Sequence, residues 1–278
     1  MNVPGHPARR SQARSRWHLY AMVKALAERM AAVLLLVALT PLILVVAVLV
    51  RLASPGPAFY RQTRLGKGGR QFTIHKIRTM THDCEAVTGA VWAARHDPRI
   101  TPLGRLLRDS HIDELPQLWN VVRGQMSLIG PRPERPEIAA QLEKSLPEFS
   151  RRLSILPGLT GLAQVRLGAD HDLDDSRAKL AHDLYYIQKL GFILDFRIAL
   201  ATFFHCTSSL LEATSHWIVR SCGPELRAGA PRSRLAVSRR QPRLFLDRLA
   251  LQIPPVVGPR IRRIAATRSV EPACAQAA

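Results

Sequence analysis

The run "MAAVLLLVALTPLILVVAVLV", residues 30–50, holds 21 residues without a single charge. A helix needs about 20 apolar residues to cross a bilayer, so the length suits a membrane segment. It exceeds the roughly 7–15 residues of a signal-peptide core, and no small-residue cleavage site follows it. A retained membrane helix is expected, and the rest of the fold has to be arranged around it.

The flanks of the run constrain its path. Arg9, Arg10, Arg14, Arg16, Lys24 and Arg29 precede it, and Arg51, Arg61, Arg64, Lys67 and Arg70 follow. Basic residues mark the cytoplasmic side of a membrane helix, and here both sides carry them. At the midpoint stands Thr40-Pro41. Proline removes one i to i−4 hydrogen bond and clashes with the preceding turn. A helix broken at that point, entering and leaving by the same face, would keep both basic flanks on one side. The Thr40 hydroxyl could then bond a carbonyl freed by the break, because unsatisfied backbone is costly in lipid. A kinked ordinary span is the alternative.

After the run, "GPAFYRQ" (56–62) and "RQFTIHKIRTM" (70–80) carry strand-forming residues, with "GKGG" (66–69) supplying turn glycines. They read as a β-hairpin. Arg61, Arg64, Lys67, Arg70, Lys76 and Arg78 make it strongly cationic, which by itself implies attraction to anionic headgroups.

The chain as a whole has 278 residues, 47% hydrophobic content, a formal net charge of +19 and a pI near 11.2. One main domain plus extras fits that length. Its partners are expected to be anionic: phosphates, nucleic acid or an acidic membrane surface. Cys84, Cys206, Cys222 and Cys274 show no CxxC spacing, which speaks against a zinc site or a disulfide scaffold and for a reducing, cytoplasmic setting.

Within this basic chain, "RDSHIDELPQLWNVVRG" (108–124) keeps two adjacent carboxylates, Asp113 and Glu114. Leu115, Leu118, Trp119 and Val122 follow at the spacing of one helix face, and Gly124 offers a stop. Pro116 has to lie near the start of that helix, which puts the acid pair at its N-terminus. Ser110, three residues before Asp113, resembles a capping box, so a structural cap is one explanation of the pair. The surrounding arginines suggest another. Arg105 and Arg108 lie three apart on a preceding helix, and Arg132 sits between Pro131 and Pro133, which stiffen it. Guanidinium forks suit phosphate oxygens. Carboxylates among them would repel phosphate unless a cation such as Mg²⁺ intervened, held by one or two carboxylates and the substrate's phosphates.

These segments, "SPGPAFYRQTRLGKGGRQFTIHKIRTM" (54–80), "DPRITPLGRLLRDSHIDELPQLWNVVRGQMSLIGPRPE" (97–134), "LPGLTGLAQV" (156–165) and "HDLYYIQKLGFILDFRIAL" (182–200), closely resemble the bacterial sugar transferase family, over roughly residues 20–207. Its members are monotopic polyprenyl-phosphate phosphoglycosyl transferases that start capsule, exopolysaccharide and glycoprotein glycan assembly. The resemblance implies a UDP-sugar donor, undecaprenyl phosphate as acceptor, release of UMP, and Mg²⁺. It implies catalysis by Asp113 and Glu114, with the metal on Asp113. Substrate and phosphate contacts would come from Lys76, Arg78, Arg105, Arg108, Arg132 and Gln164, and the helix break from Thr40 and Pro41. Asp113 would attack the β-phosphorus and carry a covalent phosphosugar until undecaprenyl phosphate takes it.

The expected fold is α+β and predominantly helical. A re-entrant membrane helix, a β-hairpin and surface amphipathic helices surround a small cytoplasmic catalytic domain at the bacterial inner membrane. The divisions are a basic arm (1–24), the re-entrant helix (25–51), the catalytic domain (52–207) and an Arg/Pro-rich extension (208–278). Residues 221–278 contain 11 arginines, no lysine and 7 prolines, a composition of disordered tails. "FILDFRIALATFF" (192–204) reads as a helix lying on the membrane surface.

Three departures stand against the family pattern. Thr40 replaces serine, Leu162 the usual tryptophan and Arg166 the usual asparagine, and the last two leave the sugar and nucleotide contacts open. Larger members add an N-terminal bundle of membrane helices, so the expectation here is the minimal catalytic form. A lipid-binding adaptor without catalysis, or a nucleic-acid binder using the arginine-rich tail, would have no need of an acid pair framed by arginines. No nucleic-acid partner is therefore expected.

Overall fold

The computed structural model describes residues 7–84, 97–167 and 173–221. Helix α1 (Pro7–Ala53) contains Pro41 and takes in the segment read as a basic arm from Pro7 onward. From Leu19 to Ala53 it is long and apolar enough to cross a membrane. Ala32, Ile43, Val46, Ala47 and Val50 are buried, with Leu36 and Leu39 half-buried between them. This is one stripe at helical period, and it packs on the rest of the protein. The opposite face leaves Leu34, Val37, Leu44 and Val48 exposed. The core helix of a soluble protein would not do that. At the proline the Thr40 hydroxyl donates to the carbonyl of Leu36 at 2.6 Å, a back-bond of the kind that bends helices.

Both ends of the apolar stretch of α1 are tied to the same body. Lys24 bonds Asp195 at 2.8 Å, and Glu28 accepts the backbone N–H groups of Leu128 and Ile129, each at 3.2 Å, and the hydroxyl of Ser127. At the far end, Arg78 donates to the carbonyls of Ser54, at 2.8 Å, and Pro55.

The hairpin forms as the sequence predicts. Strand β1 (Phe59–Leu65) pairs antiparallel with β2 (Gln71–Ile77), Phe59 opposite Ile77 and Leu65 opposite Gln71. Gly68 and Gly69 turn the chain at φ of 68° and 77°, which a Cβ would strain. Ile74 and Ile77 face inward onto α1 and its partners.

Helix α2 (Pro102–Asp109) starts on Thr101, whose hydroxyl accepts the N–H of Gly104 at 2.9 Å. Here the capping expected of Ser110 is corrected. Its hydroxyl donates backward to the carbonyls of Leu106 and Leu107, at 2.7 and 3.1 Å, and so closes α2 instead of opening the next helix. His111 then adopts a left-handed φ of 58°, and a 3₁₀ turn (Ile112–Gln117) precedes the five-residue helix α3 (Leu118–Val122).

The tighter turn shifts the phase of the apolar face. Leu118 and Val121 are buried, while Trp119, expected inside, is 46% exposed over Arg123. Gly124 ends α3 at φ 71° as expected. Asn120, fully buried, bonds the outer edge of β2. Its Nδ2 donates to the Thr73 carbonyl at 2.7 Å and its Oδ1 accepts from His75 N at 3.3 Å.

Two short strands, β3 (Ser127–Ile129) and β4 (Gly158–Thr160), pair in parallel. Around them lie α4 (Pro136–Ser145), a 3₁₀ turn (Phe149–Ser154), α5 (Leu162–Arg166), α6 (Leu173–Gln188) and α7 (Phe192–Ser221). Two cores result. Ile138, Leu142, Phe149, Leu180 and Leu184 form one, and Ile129, Leu162, Tyr186 and Ile198 the other.

Helix α7 runs unbroken through residue 207, the expected domain boundary, to Ser221. Its outward face carries Phe192, Ile193, Phe196 and Phe203, so its exposed side is the apolar one. The expected tail from 222 onward lies outside the described residues.

At the crossing of β3 and β4 the backbones touch. A Cβ on Gly158 would lie 2.1 Å from Gly130 N and 2.4 Å from Thr160 O, both backbone atoms. Gly158→Ala is therefore expected to cost about 3 kcal/mol, and thermal unfolding should show a Tm lower by roughly 6–12 °C.

Candidate active site

A cavity of about 2310 Å³ opens between α1, the hairpin, the 3₁₀ turn after α2, β3, β4 and α7. Among the described residues, eleven lysines and arginines line it against four carboxylates, so its surface suits an anion. The hairpin and the 3₁₀ turn build its centre, because β2 packs directly on the turn that holds the acid pair.

The two carboxylates have opposite surroundings. Glu114 is saturated: Lys76 Nζ lies 2.7 Å from its Oε1, and Arg132 reaches Oε1 at 2.8 Å and Oε2 at 3.4 Å. Burial works against its charge, but Arg132 and Lys76 together outweigh that and hold Glu114 well below the usual carboxylate range. Asp113 is 6% exposed, lines the cavity, and makes no hydrogen bond or ion pair among the described residues. Burial pushes its carboxyl up to about 6, against the pull of Lys76 and with a push from the charge of Glu114. Among the described residues it caps neither the 3₁₀ turn nor α3.

The other residues singled out from sequence divide. Arg108 lines the cavity and is aimed by its Nε, which donates to the Thr79 hydroxyl at 2.7 Å. Arg78 also lines it, yet its guanidinium is spent on Ser54 and Pro55 and so clamps the end of α1. Gln164 lines the cavity with Nε2 on the Leu159 carbonyl at 2.9 Å and a buried Oε1 that has no hydrogen-bond partner among the described residues. Arg105 is not among the lining residues: three positions from Arg108, it points elsewhere on α2. Of the two departures that bear on sugar and nucleotide contacts, Leu162 is buried against Ile129, Tyr186 and Ile198 and takes no part in the lining, whereas Arg166 lines the cavity.

Three histidines among the described lining residues, His82, His111 and His205, escaped the sequence reading. His111, immediately before the 3₁₀ turn, and His205, on α7, approach with ring centroids 5.6 Å apart. His111 is kept neutral more readily than usual, first by its burial. The left-handed residue beside the acid pair carried no signal in composition, and His205 lies 94 positions away.

Among the described residues no group of three or more His, Cys, Asp or Glu forms a closed metal cage. A magnesium ion does not require one, being commonly held by one or two carboxylates together with substrate phosphates. The unpaired Asp113 carboxylate fits that role, and Glu114, already engaged by two cations, does not.

Comparison with known proteins identifies the family. The profile of the bacterial sugar transferase family matches residues 19–209. The UDP-N-acetylgalactosamine-undecaprenyl-phosphate N-acetylgalactosaminephosphotransferase of Aeromonas hydrophila is 43% identical over 66% of this chain and 43% of its own length. The UDP-glucose:undecaprenyl-phosphate glucose-1-phosphate transferase of Caulobacter vibrioides is 45% identical over 64% of this chain and 67% of its own. The exopolysaccharide production protein PSS of Rhizobium leguminosarum is 41% identical over 60% of this chain and 86% of its own. The chain thus spans less than half of the Aeromonas protein and most of the Rhizobium one. With a matched region that takes in the apolar stretch of α1, the hairpin, the acid pair and most of α7, the chain belongs to the bacterial sugar transferase family.

Proposed function

We propose that this protein is a membrane-bound enzyme that transfers a phosphosugar from a UDP-sugar to undecaprenyl phosphate and releases UMP, as the first step of polysaccharide or glycoconjugate assembly. The observation that carries this is Asp113, a buried carboxylate without an ion-pair partner among the described residues, in a cavity where lysines and arginines outnumber carboxylates. The names of the relatives, which couple a UDP-sugar to undecaprenyl phosphate, supply the substrates.

In the first step an Asp113 oxygen bonds to the β-phosphorus of the donor, the bond from that phosphorus to the bridging oxygen breaks, and UMP leaves. The carboxylate now carries the phosphosugar. In the second step a phosphate oxygen of the lipid acceptor bonds to the same phosphorus, the bond to Asp113 breaks, and a lipid diphosphosugar is formed. A phosphate monoester has a second pKa near 6, so at neutral pH the acceptor is largely ionised and needs no general base. That suits Glu114, whose charge is held by Lys76 and Arg132 and which serves to fix those two cations at the reacting phosphates. Mg²⁺ on Asp113 would supply further charge neutralisation as UMP departs.

The ties of α1 support a reading of its membrane topology. A straight helix from Lys24 to Ser54 would separate its ends by about 45 Å, more than the roughly 30 Å hydrocarbon core. Yet residues at both ends bond the same polar body. We propose that the helix enters and leaves by the cytoplasmic face of the inner membrane, with the apolar faces of α1 and α7 toward lipid. Single cysteines near residues 12 and 66, in a cysteine-free variant, should both be shielded from an impermeant thiol reagent in intact cells. Labelling of only the first would establish a full span.

The reaction itself is tested with purified protein, Mg²⁺, a polyprenyl phosphate and a panel of UDP-sugars. With at least one donor, UMP should be released over many turnovers when the acceptor is present and only up to the amount of enzyme when it is absent. No UMP from any donor would leave a non-catalytic membrane adaptor as the better account.

A further inference from the structure

The segment Pro131–Glu134 carries Arg132 into the cavity, and two of its four residues are prolines, without an N–H to pair. It cannot be held by a regular ladder, so its carbonyls have to find other donors. Every one of the four does. Pro131 O accepts from Gly158 N at 2.8 Å, and Glu134 O from Leu65 N at 2.9 Å. The two between them are taken by guanidinium groups: Arg132 O by Arg152 Nη2 at 2.8 Å, and Pro133 O by Arg64 Nη1 at 3.0 Å.

Arg152 is not a cavity-lining residue. It is 7% exposed, lies over the Phe149 ring at 4.8 Å, and is neutralised from behind by Asp183, with Nη2 2.8 Å from Oδ2, and by Glu134 at 3.7 Å. The contact with Asp183 is a close ion pair between two buried groups. The same Nη2 nitrogen also donates to the main chain, at the Arg132 carbonyl. Asp183 is itself 2% exposed on α6. A cation buried this deeply, with one N–H on a single carbonyl, is an expensive way to satisfy a loop unless the position of that loop matters.

We propose that Arg152, backed by Asp183, is a positioning residue for the transfer reaction: it fixes the main chain at Arg132 so that the Arg132 fork stays on Glu114 and at the donor's phosphates. This rests on the assignment of the cavity as the UDP-sugar site. The lever is short. Displacing the Arg132 carbonyl moves the guanidinium that meets Glu114 at 2.8 Å, and misplacement by about 1 Å can cost a hundredfold in a reacting site.

The test is a double-mutant cycle on UDP binding with Mg²⁺, read by calorimetry, with Tm recorded for each protein. Arg132→Ala is expected to weaken UDP about tenfold, Arg152→Gln by a similar factor, and the double variant no further, because Arg152 acts through Arg132. Arg152→Lys keeps the charge opposite Asp183 and so guards against loss of folding; it too should bind UDP more weakly at near-normal Tm. Additive losses, or an Arg152→Lys or Arg152→Gln protein with wild-type affinity, would overturn the positioning role while leaving the proposed reaction intact. Absence of UDP binding to the unaltered protein would bring down the site assignment and this inference together.

Discussion

Asp113→Asn should remove all measurable UMP release while leaving the protein folded and membrane-bound. The amide is nearly the same size but offers no anionic oxygen to phosphorus, so the covalent step is lost and not merely slowed. The structure adds a second expectation. Asp113 has no partner to lose among the described residues, and its charge is buried, so the substitution should not destabilise the fold.

In the metal-free protein the folded-state carboxyl sits at about 6, against 3.8 for the ordinary group. Any stability that goes with its proton is fully present below about 4 and is lost as pH rises through 6. At pH 7, in chelator, Asp113→Asn should therefore be more stable than the wild type by on the order of 1–3 kcal/mol, and the difference should vanish below about pH 4. A destabilised but active Asp113→Asn protein would return this residue to a structural role.

Glu114→Gln should be nearly as damaging to activity, for a different reason, and it should also weaken the fold. Two cations, Lys76 and Arg132, lose the charge they share. Removing one partner of a fully buried ion pair costs about 3–5 kcal/mol, but Arg132 is 40% exposed and solvent takes up part of its charge. A loss of roughly 2 kcal/mol is expected, seen as a Tm lower by about 4–8 °C. Turnover should fall by on the order of 10²–10³, the range seen when one preorganised electrostatic contact to a reacting centre is removed. Glu114→Asp, which keeps the charge on a shorter arm, should recover part of the turnover. Full activity in Glu114→Gln would contradict the role of Lys76 and Arg132 as phosphate-facing cations set by this carboxylate.

Much of the architecture is legible in local sequence because its causes are local. An uncharged run of membrane length, glycines that a tight turn demands, and a proline-stiffened arginine each act within a few residues. Elsewhere local rules mislead. The 3₁₀ turn around Pro116 brings Val121 to the core and Trp119 to the surface, because three residues per turn break a count made at 3.6. Ser110 belongs by spacing to the helix after it, yet it serves the one before.

The rest is hidden by distance along the chain. Lys24 meets Asp195 across 171 residues, Glu28 caps the start of β3 about 100 residues on, and Arg152 reaches Arg132 across 20. A single sequence holds no record of such pairings. For the site, the residue types are legible and their duties are not. Arg78 and Arg132 are both arginines beside strand or proline segments, yet one clamps a helix end and the other pairs with Glu114 in the cavity.

Covalent bonding of Asp113 to phosphorus is the step on which the mechanism turns. Purified wild-type protein should be mixed with a UDP-sugar and Mg²⁺ in the absence of lipid acceptor, quenched rapidly, digested and analysed by mass spectrometry. A phosphosugar adduct on the peptide containing Asp113, formed together with one equivalent of UMP and discharged when undecaprenyl phosphate is added, is the predicted result. Catalytic UMP release with acceptor present, but no adduct on that peptide at any quench time and none trapped without acceptor, would contradict it.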